Sequence, residues 1–419
     1  MSLSRRTFLA GAAAAGLAAP AAAQGIFARP DAAGQLAFPP ASPPHPDFRA
    51  LLTEKVTIRS VDLYQLPNSE TVLVRVLSED GAEGVVRAST KVEHTGQFFR
   101  DFAVPRFIGT DARDLANTIR RAAREDYEYA GLPYWATLGQ VEVAIWDMLG
   151  KTLHQPCAAL IGPVLHRAIP IYMSSNKRDT SPEAEIAHLE QRVAETGARC
   201  VKVKIGRRMG YNTDMQPGRS EAVIAGLRKA FGDDMTIYAD ANGAYDLPMG
   251  LEIAAMLEDH GVALFEEPCP FEDFEMTAQL STAIRQRGYR LKVAGGENDY
   301  ALERWRWLIA NRAFDAIQPD PMYAGGIFRN LAIMDMGRSA GLHYNPHFPR
   351  NGADSAPMLH LCSGAANLWG FQEYRSREDK LDFAHSPVLS PINGGVPVPL
   401  GSGWGIEYDP VIWKRARKL

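Results

Sequence analysis

The stretch from Cys200 to Glu297 decides the fold. It reads Cys-Val-Lys-Val-Lys-Ile at 200–205, Thr-Ile-Tyr-Ala-Asp-Ala-Asn at 236–242, Ala-Leu-Phe-Glu-Glu-Pro at 263–268 and Leu-Lys-Val-Ala-Gly-Gly-Glu at 291–297. Each run is short, apolar and strand-like, and three of the four end in an acid where the loop should begin. Helical patterns fill the intervals, as at 220–231. The same alternation extends both ways, with strands predicted at 169–172, 200–205, 236–240, 263–266, 291–294, 316–318, 342–345 and 368–372. Other helices are predicted at 182–195 and 300–309. Strands alternating with helices in this number argue for a parallel β/α barrel with seven helices between eight strands. An open doubly wound sheet is the alternative, but no G-x-G-x-x-G turn follows the first strand.

Upstream the grammar differs. Strand-like stretches at 56–64 and 71–77 are followed by the turn Glu79-Asp80-Gly81 and a short strand at 83–86. Helices are expected near 95–107, 112–125 and 137–153, the last with Val141, Ile145, Met148 and Leu149 at core-facing spacing. This is a three-stranded sheet with helices, an α+β domain at 54–165 that caps the barrel at 166–375. Residues 376–419 are rich in Pro and Gly, lack a clear eighth helix and are expected to return to the first domain.

The extreme N-terminus reads as an address. Arg5-Arg6-Thr-Phe-Leu, an alanine-rich run and Ala21-Ala22-Ala23 have the anatomy of a twin-arginine signal peptide, with cleavage expected after Ala23. Export to the periplasm through the twin-arginine machinery is therefore expected. The run from Phe8 to Ala23 is too short and too weakly apolar for a membrane anchor. Residues 24–53 form a leader carrying Pro30, Pro39, Pro40, Pro43, Pro44 and Pro46, a stiff extended spacer.

Composition narrows the class. Of 419 residues, 46% are apolar, which is enough for a large core and excludes global disorder. Lys and Arg number 45 against 49 Asp and Glu, a net charge of −4 that offers nothing to nucleic acid or to an anionic membrane. Cys157, Cys200, Cys269 and Cys362 lie far apart, excluding a dense disulfide scaffold or a zinc cluster. A large enzyme remains.

Catalytic groups of a β/α barrel sit at the C-terminal strand ends. There Asp240, Glu266 and Glu297 each project from a successive strand. Three converging carboxylates repel unless a cation joins them, and an all-oxygen site suits Mg²⁺. Lys202 and Lys204, two apart on one strand, point to the same interior side. Glu267 should face away from Glu266, backing the site or forming a structural ion pair. Farther round, Asp320 is placed to orient His347, and Glu373 lies near the end of the last strand. His260 and His343 have no such setting. The chemistry that fits is removal of a proton next to a carboxylate, with Lys204 serving one face and His347 the other. Glu373, if protonated, would donate a hydrogen bond to that carboxylate.

Together Lys202-x-Lys204, Asp240-x-Asn242, Glu266-Glu267-Pro268, Gly296-Glu297, Asp320 and His347 resemble the enolase superfamily, in its mandelate-racemase-like subgroup. So does the run Ala144-Ile-Trp-Asp-Met-Leu-Gly-Lys151 with Gln155-Pro156. The resemblance covers roughly residues 54 to 415. It implies an α+β capping domain on a modified TIM-type (β/α)7β barrel, and Mg²⁺ on Asp240, Glu266 and Glu297. It further implies Lys204 and His347 as acid/bases, Asp320 orienting His347, and Glu373 near the substrate carboxylate. No lysine follows Asp320, which disfavours the muconate-lactonizing and dipeptide-epimerase activities. Asn242 stands where some sugar-acid dehydratases carry a histidine, leaving His347 or Lys204 as the acid for the leaving group.

Three functions compete. The first is dehydration of a sugar acid to a 2-keto-3-deoxy acid. The second is racemisation or epimerisation of an α-substituted carboxylate with the same bases. The third is an exported sugar-acid-binding protein without turnover, which the intact acid and base set opposes. Substrate choice is expected to rest on cap loops near 67–70 and 88–94. A homo-oligomer is also expected.

Overall fold

The computed structural model describes residues 46–67, 69–89, 91–375 and 385–419. The signal segment and most of the leader lie outside the described residues. By Phe48–Leu51 the leader has become a helical turn: Asp47 caps it through the Arg49 and Ala50 amides, and Phe48 packs edge-on against Trp146 at 5.2 Å.

The cap sheet contains β1 (Ile58–Gln65), β2 (Val72–Ser78) and β3 (Glu83–Arg87), antiparallel and consecutive. It has four strands, not the three expected. The fourth is the C-terminal Arg417–Lys418, which pairs with Tyr64 and Gln65 of β1. A two-residue strand carries no alternation to read, so only the return of the tail was legible. The long helix of the cap runs Leu132–Thr152 and starts before the predicted residue 137, with Pro133 in its first turn, where the missing N–H costs nothing. It is buried over nearly its whole length because the cap sheet covers one side and the barrel another. At Gly84 any Cβ would overlap the Ala144 carbonyl, so strand and helix approach as closely as backbones can. Asp147 ties three parts together: it accepts from Val85 N and Trp404 N at 2.9 Å each and pairs with Lys151 at 2.6 Å.

The barrel strands are β4 (Ala168–Ser174), β5 (Cys200–Lys204), β6 (Thr236–Asp240), β7 (Leu264–Glu266), β8 (Lys292–Gly295), β9 (Ala316–Ile317), β10 (His343–Tyr344) and β11 (Gln372–Arg375). They pair in parallel in the order β10-β9-β8-β7-β6-β5-β4-β11. A parallel bridge from Tyr344 to Leu368 joins β10 to the chain entering β11. A helix follows each of the first seven strands, the last being Ala356–Gly364; after β11 the one helix among the described residues is Val411–Arg415 of the tail, whose Ile412 packs on Leu66, Leu73 and Val85 of the cap. This is the (β/α)7β pattern. Strand β11 begins at Gln372, where the predicted strand ended, because Gly370 takes a left-handed turn (φ +63°) between the bridge and the strand. The interior towards the strand starts is filled by Tyr172, Cys200, Tyr238, Leu264, Ala294 and Ala316, a closed floor beneath the polar rim. All four cysteines are buried and unpaired.

Candidate active site

Strand register builds the site. Lys204 lies level with Asp240, and Asp240 level with Glu266, on adjacent strands. Glu297 follows β8 after Gly295 and Gly296. Gly296 has φ +104°, and a Cβ there would overlap the Trp305 ring, so the turn that delivers Glu297 requires glycine. One oxygen each from Asp240, Glu266 and Glu297 lies within 4.8 Å of the others.

The lysines flank this cluster. Lys202 Nζ donates to Glu266 Oε2 at 2.8 Å, lies 3.8 Å from Asp240 Oδ2 and sits 4.8 Å from the Tyr172 ring centre. Lys204 Nζ bonds Asp240 and reaches Asn242 Oδ1 at 3.1 Å. Burial opposes the charge on Asp240, but Lys204 and Lys202 outweigh it and hold the carboxyl well below its usual range. Burial and then the Asp240 charge push Glu266 up to about 7, against the pull of Lys202. Glu266 Oε1 is buried with no protein partner. A crowded, desolvated acid set with an orphaned oxygen fits a hard divalent cation.

His347 closes the other flank. Its Nδ1 is 2.8 Å from Asp320 Oδ2, and Asp320 Oδ1 accepts from the Met322 and Tyr323 amides, so the acid is pinned and orients the ring. Its Nε2 lies 3.4 Å from Glu297 and 3.8 Å from Glu373. Burial resists the imidazolium, but Glu297, the Asp320 hydrogen bond and Glu373 outweigh it and raise His347 to about 10.

Two more acids lie beside the cluster. Glu373 is buried beside Tyr172 in the β4 register, facing the lysines and His347. Burial disfavours its charge, yet Lys202 and then His347 outweigh this and hold the carboxyl below its usual range, which favours the ionised form over the protonated donor expected. Glu267 does not follow strand alternation. Its φ of +40° ends the strand, and its Oε2 accepts from Asn242 Nδ2 at 3.0 Å, so of the two roles expected the geometry matches the acid that backs the site. Asn242 itself has φ +44° and receives Lys204, Arg178 and Arg208 on one oxygen. Such backbone strain in two residues is a mark of functional rims.

The structure adds residues the sequence reading missed. Gln318 Nε2 holds Glu266 Oε2 at 3.0 Å, and Arg178 Nη2 holds Asn242 Oδ1 at 2.8 Å. Both lie at or just past strand ends, the one signal available. His260 and His343 stay away from the cluster, and His343 stacks on Trp369 at 5.3 Å.

The comparisons agree with this geometry. The model of the mandelate racemase / muconate lactonizing enzyme N-terminal domain matches residues 56–162, and that of the enolase C-terminal domain-like family matches 184–412. Arabinonate dehydratase of Saccharolobus solfataricus is 26% identical over 64% of this chain and 69% of its own length. D-galactarolactone cycloisomerase of Agrobacterium fabrum is 28% identical over 72% and 79%. A solved structure from Roseobacter denitrificans is 30% identical, with a TM-score of 0.79, over 87% of this chain and 99% of that one. With both domain models in chain order on the cap and on the barrel, the chain belongs to the mandelate racemase / muconate lactonizing enzyme family of the enolase superfamily.

Proposed function

We propose that this protein removes the α-proton of a hydroxylated carboxylate and then dehydrates it, converting a sugar acid to a 2-keto-3-deoxy acid. One observation carries the reading: the acid cluster is flanked by Lys202 and Lys204 on Asp240 and Glu266, and by the His347–Asp320 pair on Glu297. Family membership makes the chain a lyase or an isomerase, and arabinonate dehydratase among its relatives supports the first.

Asp240, Glu266 and Glu297 are the residues that would hold Mg²⁺, and a bound Mg²⁺ would supply positive charge to the substrate carboxylate. Lys202, fixed by Glu266, adds a buried positive charge that favours the enediolate over the ground state. Lys204 takes the α-proton from one face. His347, held at Nδ1 by Asp320, presents Nε2 on the other face and gives a proton to the departing β-hydroxyl. Water leaves, and the enol tautomerises to the 2-keto acid. Bases on both flanks also support a second reading, racemisation or epimerisation, in which His347 returns the proton to the α-carbon.

Incubating Mg²⁺-loaded protein in D₂O with sugar acids and α-hydroxy acids separates the readings. Dehydration gives product lighter by one water; epimerisation gives α-deuterated isomer of unchanged formula. Binding without either outcome, in protein shown to hold metal, would favour the non-catalytic alternative. We also propose export by the twin-arginine route with cleavage after Ala23, and self-association. N-terminal sequencing of periplasmic protein and its solution mass test these; an intact Met1 in soluble cytoplasmic protein would count against export.

A further inference from the structure

The loop after β4, residues 175–181, is stapled to the end of β5, the strand that carries Lys204. At its start Ser175 N donates to Lys202 O at 3.0 Å. Arg219, buried in the first turn of the helix Arg219–Phe231, donates to Lys177 O at 3.3 Å, Thr180 O at 2.7 Å and Lys204 O at 3.1 Å. From the loop so held, Arg178 reaches across two strand ends. Its Nε donates to Gly206 O at 3.1 Å and Ile205 O at 3.4 Å. Its Nη2 donates to Asn242 Oδ1 at 2.8 Å and Asp240 O at 3.4 Å. One guanidinium thus joins the backbone just past Lys204 to the side chain against which Lys204 rests.

Asn242 is gripped at both ends. Its Nδ2 donates to Glu267 Oε2 at 3.0 Å, which fixes the end of the amide that is oxygen. That oxygen has two lone pairs and meets three cationic donors: Arg178 at 2.8 Å, Lys204 at 3.1 Å and Arg208 at 3.3 Å. Arg178 is the nearest. At φ +44° Asn242 has a strained backbone, which persists only where its surroundings enforce it. The other anchor of the Lys204 ammonium is Asp240. A lysine carries its charge on a flexible four-carbon stem, so these anchors set its aim. His347, on the opposite flank, is oriented by Asp320. Among the described residues, the hydrogen bonds of Arg178 all end on β6 or on residues just past β5 and β6.

We infer that Arg178 is a positioning residue for Lys204: it fixes the amide and the strand end that aim the lysine, and so governs proton transfer on the Lys204 face and not on the His347 face. This rests on the two-base chemistry proposed above. A planar guanidinium with donors on several edges can tie two strand ends at once, whereas an ammonium is a point charge. Without Arg178, Ile205 O, Gly206 O, Asp240 O and Asn242 Oδ1 each lose a donor, and Lys204 is free to shift. A displacement of about 1 Å is enough to slow a reaction about a hundredfold.

The test follows α-deuterium incorporation on each face by NMR, in full-length, Mg²⁺-loaded wild type, Arg178→Ala and Arg178→Lys, with the acid that the wild type exchanges fastest. Arg178→Ala should slow exchange on the Lys204 face by about 10- to 100-fold, while the His347 face and KM stay within about twofold. Arg178→Lys, which keeps the charge and loses the planar fork, should recover only part of the loss. The ratio of the two faces is the readout, because a smaller folded fraction lowers both together. A ratio equal to wild type in both variants overturns the inference. So does a raised KM with that ratio unchanged, which would make Arg178 a substrate contact. Where the wild type exchanges one face or neither, crystal structures of wild type and Arg178→Ala decide: a Lys204 Nζ moved away from Asn242 upholds the positioning, and an unmoved one overturns it. Exchange at neither face sinks the catalytic reading and not the positioning.

Discussion

Lys204 and His347 are both nearly buried and both hydrogen-bonded to acids, yet they are expected to do separable work. Lys204 is anchored by Asp240 and Asn242, and His347 by Asp320, so removing either leaves the other in place. Lys204→Ala and His347→Asn should each lower turnover by about a thousandfold, within the usual worth of a general acid or base. They should differ in isotope exchange: each variant keeps α-proton exchange only on the face the other base serves. Stereospecific deuterium incorporation, followed by NMR, checks this; two variants that lose the same face would break the assignment. Asp320→Asn should weaken catalysis less than His347→Asn, because the Met322 and Tyr323 amides still fix the loop.

At the scale of elements, the strand-to-loop turns decide what reaches the rim. Gly296 sits under the Trp305 ring at φ +104°, so Gly296→Ala adds both a methyl overlap and backbone strain. The expected loss is about 3 kcal/mol or more in unfolding free energy, with Glu297 displaced. Chemical denaturation and Mg²⁺ titration read the two effects; a variant with wild-type stability would show that the turn can rearrange. This turn was legible beforehand because a doubled glycine before an acid is a local pattern. Asp240 and Glu266 were legible for the same reason, each closing a short apolar run. The Arg87–Asp354 pair spans 267 positions and has no local signature, so only the folded junction of cap and barrel reveals it. For Glu267 the sequence left two roles open, and the choice between them depends on Asn242, which is 25 residues away and brought alongside only by the fold. The lowering of the Glu373 carboxyl comes from Lys202 and His347, which are close in space and distant in sequence.

The whole molecule is held together at the junction of cap and barrel, and one carboxyl there makes that junction sensitive to pH. Glu142, in the middle of the long cap helix, is fully buried and accepts from Phe328 N at 2.8 Å and from Trp146 Nε1 at 3.2 Å. It thereby caps the barrel helix Ile327–Ser339, while Arg329 of that helix lies 3.6 Å from the Trp135 ring centre. Burial raises Glu142 to about 8, more than its hydrogen bonds lower it. The folded protein therefore keeps this proton at pH values where the unfolded chain, near 4.5, has released it. Stability falls as pH rises between those two values, by up to about 1.4 kcal/mol per pH unit, and levels off above the folded value. Glu266 and Glu267, also raised, act with the same sign, so the contribution of Glu142 must be isolated by difference. Glu142→Gln keeps an oxygen for Phe328 and Trp146 but cannot ionise. Urea unfolding of both proteins from pH 5 to pH 9 should show the wild type losing stability relative to the variant by a few kcal/mol across the range. A difference that stays constant with pH would mean that Glu142 does not hold its proton in the folded state.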